Sequence, residues 1–310
     1  MSSEPDAFRR VAGAAAVAPI SPPCALAELP PFERGWVIDG RLHPYLAYVD
    51  GDPSVNWSAE LEQLHEEASR THFLDRWTRS AVLDRVGELP DHATIADVGC
   101  STGYLLEDLR ERYREASLIG IDLVAAGLRT AHESLPEVRL LHADACALPL
   151  AGGTVDAVVS VNLLEHVPDD EQALREIARI LRPGGRAVIV VPAGPRTYDY
   201  YDRFLGHERR YGRGELAAKC AGAGLAPLED LHIASLLYPA FWLVKQRNRR
   251  LRGGLAGAAL EARVAADISR THDSQAGALA WRLEAALVRS GLRLPFGIRS
   301  MVSARRGGTR

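Results

Sequence analysis

The feature that most constrains the fold of this chain is the alternation of short β-branched runs with helical segments between residues 94 and 191. Runs at 94–98, 118–122, 138–143, 155–161 and 186–191 predict strands. Such alternation is typical of parallel strands whose connecting helices cover both faces of the sheet. Two later runs, at 225–232 and 298–304, complete a predicted α/β fold with a doubly wound, mostly parallel sheet of about seven strands.

Composition shifts divide the chain into consecutive regions. Residues 1–30, rich in alanine and proline, are expected to form a flexible tail. Residues 31–91 are expected to form an N-terminal helical lid. The sheet core follows at 92–234, a helical insertion at 235–292, and the last strand with a short tail at 293–310. The lid is predicted because apolar residues recur at helical spacing between 58 and 86: Leu61, Leu64, Phe73, Trp77 and Val82.

Charge and cysteine usage limit the class of function. A formal charge of -3 and a pI near 6.4 provide no general field for gripping phosphate backbones, so nucleic acid is not an expected partner. The four cysteines lie far apart without CxxC or Cys/His spacing, which argues against a disulfide framework and a structural zinc. No metal site is predicted. Arg9-Arg10 and the following apolar stretch outline a signal peptide, but prolines interrupt it, and a reducing cytoplasm is the expected location.

One helix can be delimited from the sequence alone. Asp169 or Asp170 is expected to cap its start after Pro168, and Pro183-Gly184-Gly185 to end it before the next strand. The connection at 145–154 carries proline and glycines, and we expect no full helix there. The predicted buried stripe of the helix consists of Leu174, Ile177, Ala178 and Leu181.

The strand at 94–98 runs into a glycine turn, Asp97-Val98-Gly99-Cys100-Ser101-Thr102-Gly103, directly before a helix predicted at 104–114. Glycine at such a turn lets the backbone approach a nucleotide-like ligand where a Cβ would collide. The dinucleotide fingerprint requires three glycines at G-x-G-x-x-G. Here Ser101 stands between Gly99 and Gly103, and this spacing disfavours NAD.

Acidic residues end the next two predicted strands as well. Asp122 ends the second strand, where it can accept hydrogen bonds from both hydroxyls of a ribose. Asp144 follows the third strand, where its carboxylate can accept from an adenine amino group while Ala145 offers a backbone N–H. Acids at three successive strand ends, with Asp97 as the first, form a more specific pattern than any one of them.

With these motifs the chain resembles the class I S-adenosylmethionine-dependent methyltransferases over residues 92–192. The segment Asn162-Leu163-Leu164-Glu165-His166-Val167 is similar to the subgroup that includes quinone-biosynthesis methyltransferases. Residues 71–73 with the following arginines, 206–211 and 294–297 resemble one bacterial branch. Two positions depart from the pattern: Ser101 replaces a commoner glycine, and Leu74 stands where that branch often has an aromatic residue.

The resemblance implies S-adenosylmethionine as the cofactor, bound in a Rossmann-like sheet. The glycine turn would surround its methionine part, Asp122 its ribose and Asp144 its adenine, while Asn162 would lie beside the sulfonium. The complete set of implied cofactor-binding residues is Asp97, Gly99, Cys100, Ser101, Gly103, Asp122, Leu123, Asp144, Ala145, Asn162 and Leu163.

The implied activity is methyl transfer to a small-molecule acceptor at oxygen, nitrogen or an acidic carbon. His207 is the first candidate for a general base and His166 the second, because histidine has a suitable pKa. Two structural alternatives stay open: His207 fixes the loop at 209–211, and His166 belongs to the packing of its turn. An NAD-dependent oxidoreductase and a cofactor-binding regulatory protein without turnover are the competing hypotheses, and no oligomeric state is predicted.

An apolar run at 234–244, which contains Trp242, is followed by Lys245 and several arginines. The run is too short to span a bilayer, which takes about 20 residues. It could lie weakly on an anionic membrane surface and meet a lipid-linked acceptor. The alternative is a buried helix on the acceptor side with a solvated basic end.

Overall fold

The computed structural model describes residues 16–17, 23–49, 72–250 and 275–307. The strands within these ranges are β1 (Ala16–Val17), β2 (Trp36–Ile38), β3 (Arg41–His43), β4 (Leu46–Ala47), β5 (Thr94–Val98), β6 (Ser117–Asp122), β7 (Arg139–His142), β8 (Val155–Val161), β9 (Leu181–Pro192), β10 (Leu225–Ile233) and β11 (Arg299–Arg306). The helices are α1 (Phe73–Val86), α2 (Tyr104–Arg112), α3 (Ala125–Ser134), α4 (Asp170–Ile180), α5 (Tyr200–Phe204), α6 (Glu215–Gly222), α7 (Tyr238–Arg250) and α8 (Gln275–Arg289).

A nine-stranded sheet in the order β1-β4-β7-β6-β5-β8-β9-β11-β10 forms the centre of the molecule. Strands from β1 to β9 along this order run parallel, and β11 pairs antiparallel with both β9 and β10. The predicted doubly wound, mostly parallel fold is therefore confirmed. The predicted count of about seven is exceeded because the two-residue strands β1 and β4 extend the sheet beyond β7.

Helices cover both faces of this sheet. Side chains of α1, α2 and α3, such as Trp77, Leu106 and Leu128, pack on one face. Side chains of α4 and α6, such as Ile177 and Leu216, pack on the other. The sheet is thus buried on both sides, as the near-continuous apolar runs of its strands require.

The bounds of two elements differ from the prediction. Helix α2 ends at Arg112, two residues before the predicted end. Helix α4 starts as predicted, with the Asp169 carboxylate accepting from the Gln172 N–H at 2.9 Å. Leu181 was wrongly placed on that helix: it is buried, but it opens β9 opposite Val155. The Pro183-Gly184-Gly185 segment consequently lies inside β9, at an irregularity in its pairing with β8.

Residues 23–49 contradict the expected tail and helical lid. They contain the hairpin β2–β3, whose turn residues Asp39 and Gly40 have φ of 50° and 73°. An Asp-Gly pair with positive φ is a preferred two-residue hairpin turn, a signal that sequence reasoning missed. Trp36 is fully buried and donates from Nε1 to the carbonyl of Leu140 at 2.9 Å, which ties the hairpin to the sheet.

The predicted helical segments at both ends are only partly covered by the described residues. Helix α1 begins at Phe73, with Trp77 and Val82 buried as predicted, while 50–71 lie outside the described residues. Within the insertion at 235–292, α7 and α8 are helical, and 251–274 lie outside. In the described part of the chain, no helix combines the length and the apolar character needed to cross a membrane.

Candidate functional site

The glycine turn after β5 is held by backbone hydrogen bonds. The N–H groups of Gly99 and Cys100 donate to the carbonyl of Ile121 in β6, at 2.8 and 3.2 Å. Gly99 and Gly103 have φ of 83° and 90°, which favours glycine at both positions. A Cβ on Gly99 would lie 2.9 Å from the Cβ of Leu163. The turn therefore keeps a close backbone approach that other residues would block.

Asp122, at the end of β6, fixes the same turn from the neighbouring strand. Its Oδ2 accepts from the Ser101 N–H and its Oδ1 from the Val124 N–H, both at 2.8 Å. Ser101 has φ of 48°, so the backbone here is bent toward the carboxylate. Each carboxylate oxygen can accept more than one hydrogen bond, so Asp122 keeps capacity for a ligand hydroxyl.

Asp97, at the end of β5, is 2% exposed. Burial, and then the charge of Asp122, raises the pKa of Asp97 from 3.8 to about 8. A carboxyl in this position is poised to ionise when a cationic group binds beside it.

The other predicted cofactor residues lie at the same edge of the sheet. Asp144 follows β7 and accepts from the Cys146 N–H at 2.8 Å, and Ala145 beside it is buried. Asn162 follows β8 with φ of 53° and donates from its backbone to Val190 at 2.9 Å. Since β5, β6, β7 and β8 are parallel neighbours, their carboxyl ends bring all the predicted positions, Cys100 and Leu123 included, to one edge.

The two candidate bases lie together next to this edge. The rings of His166 and His207 are 4.8 Å apart between centroids and nearly perpendicular, at 81°. Nδ1 of His207 lies 3.0 Å from Oδ1 of Asp202, and the His207 side chain is 8% exposed. The carbonyl of His207 accepts from the Tyr198 hydroxyl at 2.7 Å. His207 is therefore held in one orientation, with Nε2 as its remaining ring nitrogen.

Sequence reasoning missed Glu165 as a functional candidate. This residue is 1% exposed, and its Oε2 has no hydrogen-bond partner among the described residues. Burial raises the pKa of its carboxyl, although the charge of His207 partly opposes this. Ligand atoms of Glu165, His166 and His207 all lie within 4.8 Å of one another. His166 was predicted as the second candidate base, but Glu165 beside it was not singled out, because His207 lies on another segment of the chain.

A buried ionic network contacts this cluster through the pair Asp202 and His207. Asp202 accepts from Arg210 at 2.5 Å and pairs with Lys245 at 3.3 Å. Lys245 also donates to Asp199 at 2.7 Å. Burial alone would raise the pKa of Asp202, but the His207 hydrogen bond and the charges of Arg210 and Lys245 hold it well below its usual value.

The apolar run and the basic residue Lys245 that follows it lie on the same helix, α7, but differ in exposure. Lys245 is 5% exposed, so the expectation of a solvated basic end is wrong for this residue. Burial, and then the charge of Arg210, lowers its pKa. Just before it on α7, Trp242, Leu243 and Val244 are 41%, 63% and 48% exposed. The helix therefore directs its lysine into the ionic network and leaves apolar side chains at the surface.

A doubly wound sheet with acids at the carboxyl ends of three neighbouring strands is typical of domains that bind a nucleoside-bearing cofactor at that edge. Residues 96–189 match the family model described as "Methyltransferase domain". This match agrees with the motifs of the segment, which resemble those of the class I S-adenosylmethionine-dependent methyltransferases.

Curated relatives and solved structures agree with this class. The chain is 38% identical over 159 residues to a trans-aconitate 2-methyltransferase of Azoarcus sp., covering 50% of this chain and 60% of that protein. It is 40% identical over 114 residues to a 2-phytyl-1,4-naphtoquinone methyltransferase of Thermosynechococcus vestitus, covering 36% and 51%. The chain thus spans less than two thirds of either relative.

The fold likeness extends further than the sequence likeness. A phosphoethanolamine N-methyltransferase 2 of Haemonchus contortus, solved in complex with S-adenosyl-L-methionine, superposes with a TM-score of 0.56 at 15% identity. The match covers 84% of this chain and 61% of that chain. At this identity the likeness concerns the fold alone.

Proposed function

We propose that this protein transfers a methyl group from S-adenosylmethionine to a small-molecule acceptor, at oxygen, nitrogen or an acidic carbon. The observation that carries the proposal is one edge of the sheet, where Asp97, Asp122 and Asp144 end or follow neighbouring parallel strands, together with the half-buried pair His166 and His207 on the segments after β8 and α5. The cofactor supplies an activated methyl group, whose bond to the sulfonium sulfur breaks with both electrons left on sulfur.

The residues at this edge fit the parts of the cofactor. Asp97 is buried and can ionise against the ammonium of the methionine part. Asp122 keeps acceptor capacity for the ribose hydroxyls, and Asp144 with the N–H of Ala145 suits the adenine. Gly99 lets the turn pack closely against Leu163, where an added Cβ would lie 2.9 Å from the Leu163 Cβ. Asn162 and Leu163 follow β8, where we place the sulfonium. The NAD alternative is disfavoured by the glycine spacing.

We assign the acceptor side to His207 and His166. Asp202 orients His207 through Nδ1, so Nε2 is the atom that meets the reacting group of the acceptor. A base at this place is expected to contribute about 10² to 10⁴-fold to the rate. The insertion supports the assignment, because Lys245 of α7 contacts the same Asp202 that holds His207. Tyr198 and Tyr201 lie around this segment and are candidates for the acceptor pocket.

Turnover with candidate acceptor pools, followed by mass spectrometry for added methyl groups, tests the activity. His207→Ala is expected to lower turnover by about 10² to 10⁴-fold while affinity for S-adenosylmethionine stays nearly unchanged. His232→Gln, a half-buried histidine on β10, is the matched control and should keep full turnover. Unchanged turnover in His207→Ala would retire the assignment. Cofactor binding without turnover of any acceptor would favour the regulatory protein.

The acceptor pools should contain small acids, quinone-like rings and lipid-linked molecules. RNA should be tested as an acceptor in a separate reaction. A small-molecule acceptor is favoured because the chain is weakly acidic overall and has no general field for gripping phosphate backbones. Methylation of RNA alone would overturn this part of the proposal. The cytoplasm is the proposed location, supported by four free cysteines.

A further inference from the structure

The cluster of Glu165, His166 and His207 has the composition of a metal centre. Glu165 and His166 lie in the single turn Leu164–His166 that follows β8, and His207 lies in the segment after α5. The two segments are joined by the backbone, because the Glu208 N–H donates to the carbonyl of Glu165 at 2.7 Å. A ligand atom from each residue lies within 4.8 Å of the others, a spacing at which the three residues could hold one metal ion.

The distribution of charges around Glu165 favours the binding of a cation. Its Oε2 is buried without a hydrogen-bond partner among the described residues, and an unsatisfied carboxylate oxygen is costly. The nearby cationic side chains have carboxylates of their own: Arg210 contacts Asp202, and Arg299 contacts Asp75, each at 2.5 Å. Glu165 is therefore the carboxylate that a bound cation would neutralise.

His207 carries the support that metal-ligating histidines usually have. Its Nδ1 donates to the Asp202 carboxylate at 3.0 Å, which fixes the tautomer that leaves Nε2 as the ligand atom. Asp202 is in turn held by ion pairs with Arg210 and Lys245, at 2.5 and 3.3 Å. Such a carboxylate–histidine arrangement orients the ring and raises its basicity as a ligand.

We propose that Glu165, His166 and His207 bind one first-row divalent transition-metal cation, whose open positions take an oxygen of the methyl acceptor. Two imidazoles and one carboxylate suit Zn²⁺, Fe²⁺ or Co²⁺, whereas Mg²⁺ and Ca²⁺ prefer oxygen ligands alone. This inference rests on the proposed methyl transfer and names its acceptor class: a molecule that presents an oxygen.

With the cation bound, His207 is a metal ligand in place of the general base proposed above. Its Nε2 then acts as a ligand, and coordination lowers the pKa of the acceptor oxygen, whose proton leaves to solvent. The deprotonated oxygen keeps the electron pair that forms the new bond to the methyl carbon. The metal would also fix the oxygen beside Leu163, which precedes the Leu164–His166 turn and lies against Gly99 of the cofactor turn.

Metal titration of the full chain tests the proposal without requiring a known acceptor. After treatment with a chelator, the protein is titrated with Zn²⁺ by calorimetry and with Co²⁺ by its visible d–d absorption. We expect one ion per chain, and no competition from Mg²⁺. Glu165→Gln and His207→Ala should weaken binding by more than the about 10–100-fold that loss of an outer-shell partner costs. His232→Gln is the matched control and should bind like the wild type.

A second variant covers the case in which His207→Ala fails to fold. His166→Gln keeps the Asp202 carboxylate and its ion pairs, and it should weaken Zn²⁺ binding by more than the about 10–100-fold that loss of an outer-shell partner costs. Absence of Zn²⁺ and Co²⁺ binding to the wild type, or unchanged affinity in Glu165→Gln, would overturn the metal site.

Titration with S-adenosylmethionine on the same samples separates this inference from the proposed function. If the chelated protein binds the cofactor and methylates an acceptor at full rate, the metal inference is wrong and the methyl transfer stands. If S-adenosylmethionine fails to bind with or without Zn²⁺, the proposed function itself is wrong.

Discussion

The cofactor side and the acceptor side of this site are held together by different kinds of interaction. On the cofactor side, backbone N–H groups of the glycine turn bond to Ile121 and Asp122 of the neighbouring strand. On the acceptor side, buried charged side chains meet across long sequence distances, as when Lys245 contacts Asp202. The first side depends on backbone shape, whereas the second depends on complete pairing of charges.

This difference predicts that the two sides respond differently to substitution of a side chain. The cofactor side should tolerate loss of a side chain at Ser101 but not a methyl group added at Gly99. The acceptor side should fail when any one charge is removed, because its partners stay buried without compensation. The following substitutions test this contrast.

The largest effect is expected for Asp202→Ala. The change leaves His207, Arg210 and Lys245 buried without their shared carboxylate, and breaking a buried pair costs about 3–5 kcal/mol. Urea unfolding followed by circular dichroism measures the loss. The exposed Glu171, which pairs with Lys219 at 3.3 Å, provides the control Glu171→Ala, with an expected cost of about 0–1 kcal/mol. Equal losses in the two variants would remove the contrast between buried and surface charges.

Gly99→Ala is expected to cost about 1–3 kcal/mol, because its φ of 83° strains any residue with a Cβ. The added Cβ would also meet Leu163 at 2.9 Å, so cofactor affinity should fall as well. Gly184→Ala is a matched control, since Gly184 has φ of 79° but nothing within 4 Å of its Cβ position. The control should lose some stability and keep its cofactor affinity. If Gly99→Ala and Gly184→Ala bind S-adenosylmethionine with similar affinity, the absence of a Cβ at Gly99 is not needed for cofactor binding.

The raised pKa of Asp97 predicts a pH dependence of both stability and binding. Without ligand, the folded state holds a proton that the unfolded chain releases, so stability falls as the pH rises from 3.8 to about 8. Binding of the ammonium requires the ionised carboxylate, so affinity for S-adenosylmethionine should rise with pH by up to about tenfold per unit below that pKa.

Calorimetry between about pH 6 and 7.5 measures this slope while an α-amino group, with a pKa of about 7.7–8.0, is still largely protonated. Asp97→Asn should abolish the slope together with most of the affinity. A wild-type affinity that is flat across this range would contradict the assignment of Asp97 to the ammonium.

The smallest effect is expected for Ser101→Gly. The bond to Asp122 comes from the backbone N–H, which glycine also has, and the φ of 48° suits glycine better than serine. Stability should change by less than about 1 kcal/mol, since relief of strain and greater chain entropy oppose each other. Cofactor affinity, measured by titration, should be retained. A large loss would mean that the Ser101 side chain, rather than the backbone, holds the ligand.

The same contrast explains which parts could be predicted from the sequence. Strands β5 and β8 were predicted with their observed bounds, and the acids at the strand ends follow from parallel neighbours sharing one edge. The hairpin at Trp36–Ile38 and Arg41–His43 was missed although Asp39-Gly40 signals its turn. The helical spacing of apolar residues at 58–86 favoured a helical lid for the whole region.

On the acceptor side, His166 and His207 were singled out individually, but their pairing and the place of Glu165 were not. Nothing in local spacing indicates that Lys245, at the start of a basic run, turns inward to Asp199 and Asp202. Tertiary packing decides that contact, because a lysine is buried only where carboxylates receive it.

The most direct test of the account is a calorimetric titration of the protein with S-adenosylmethionine and, separately, with NAD. The central claim is that the glycine turn and the acidic strand ends hold the methyl donor. It predicts saturable binding of S-adenosylmethionine to one site, strongly weakened in Gly99→Ala, and no binding of NAD. Absence of heat with S-adenosylmethionine, or binding of NAD in its place, would contradict the claim.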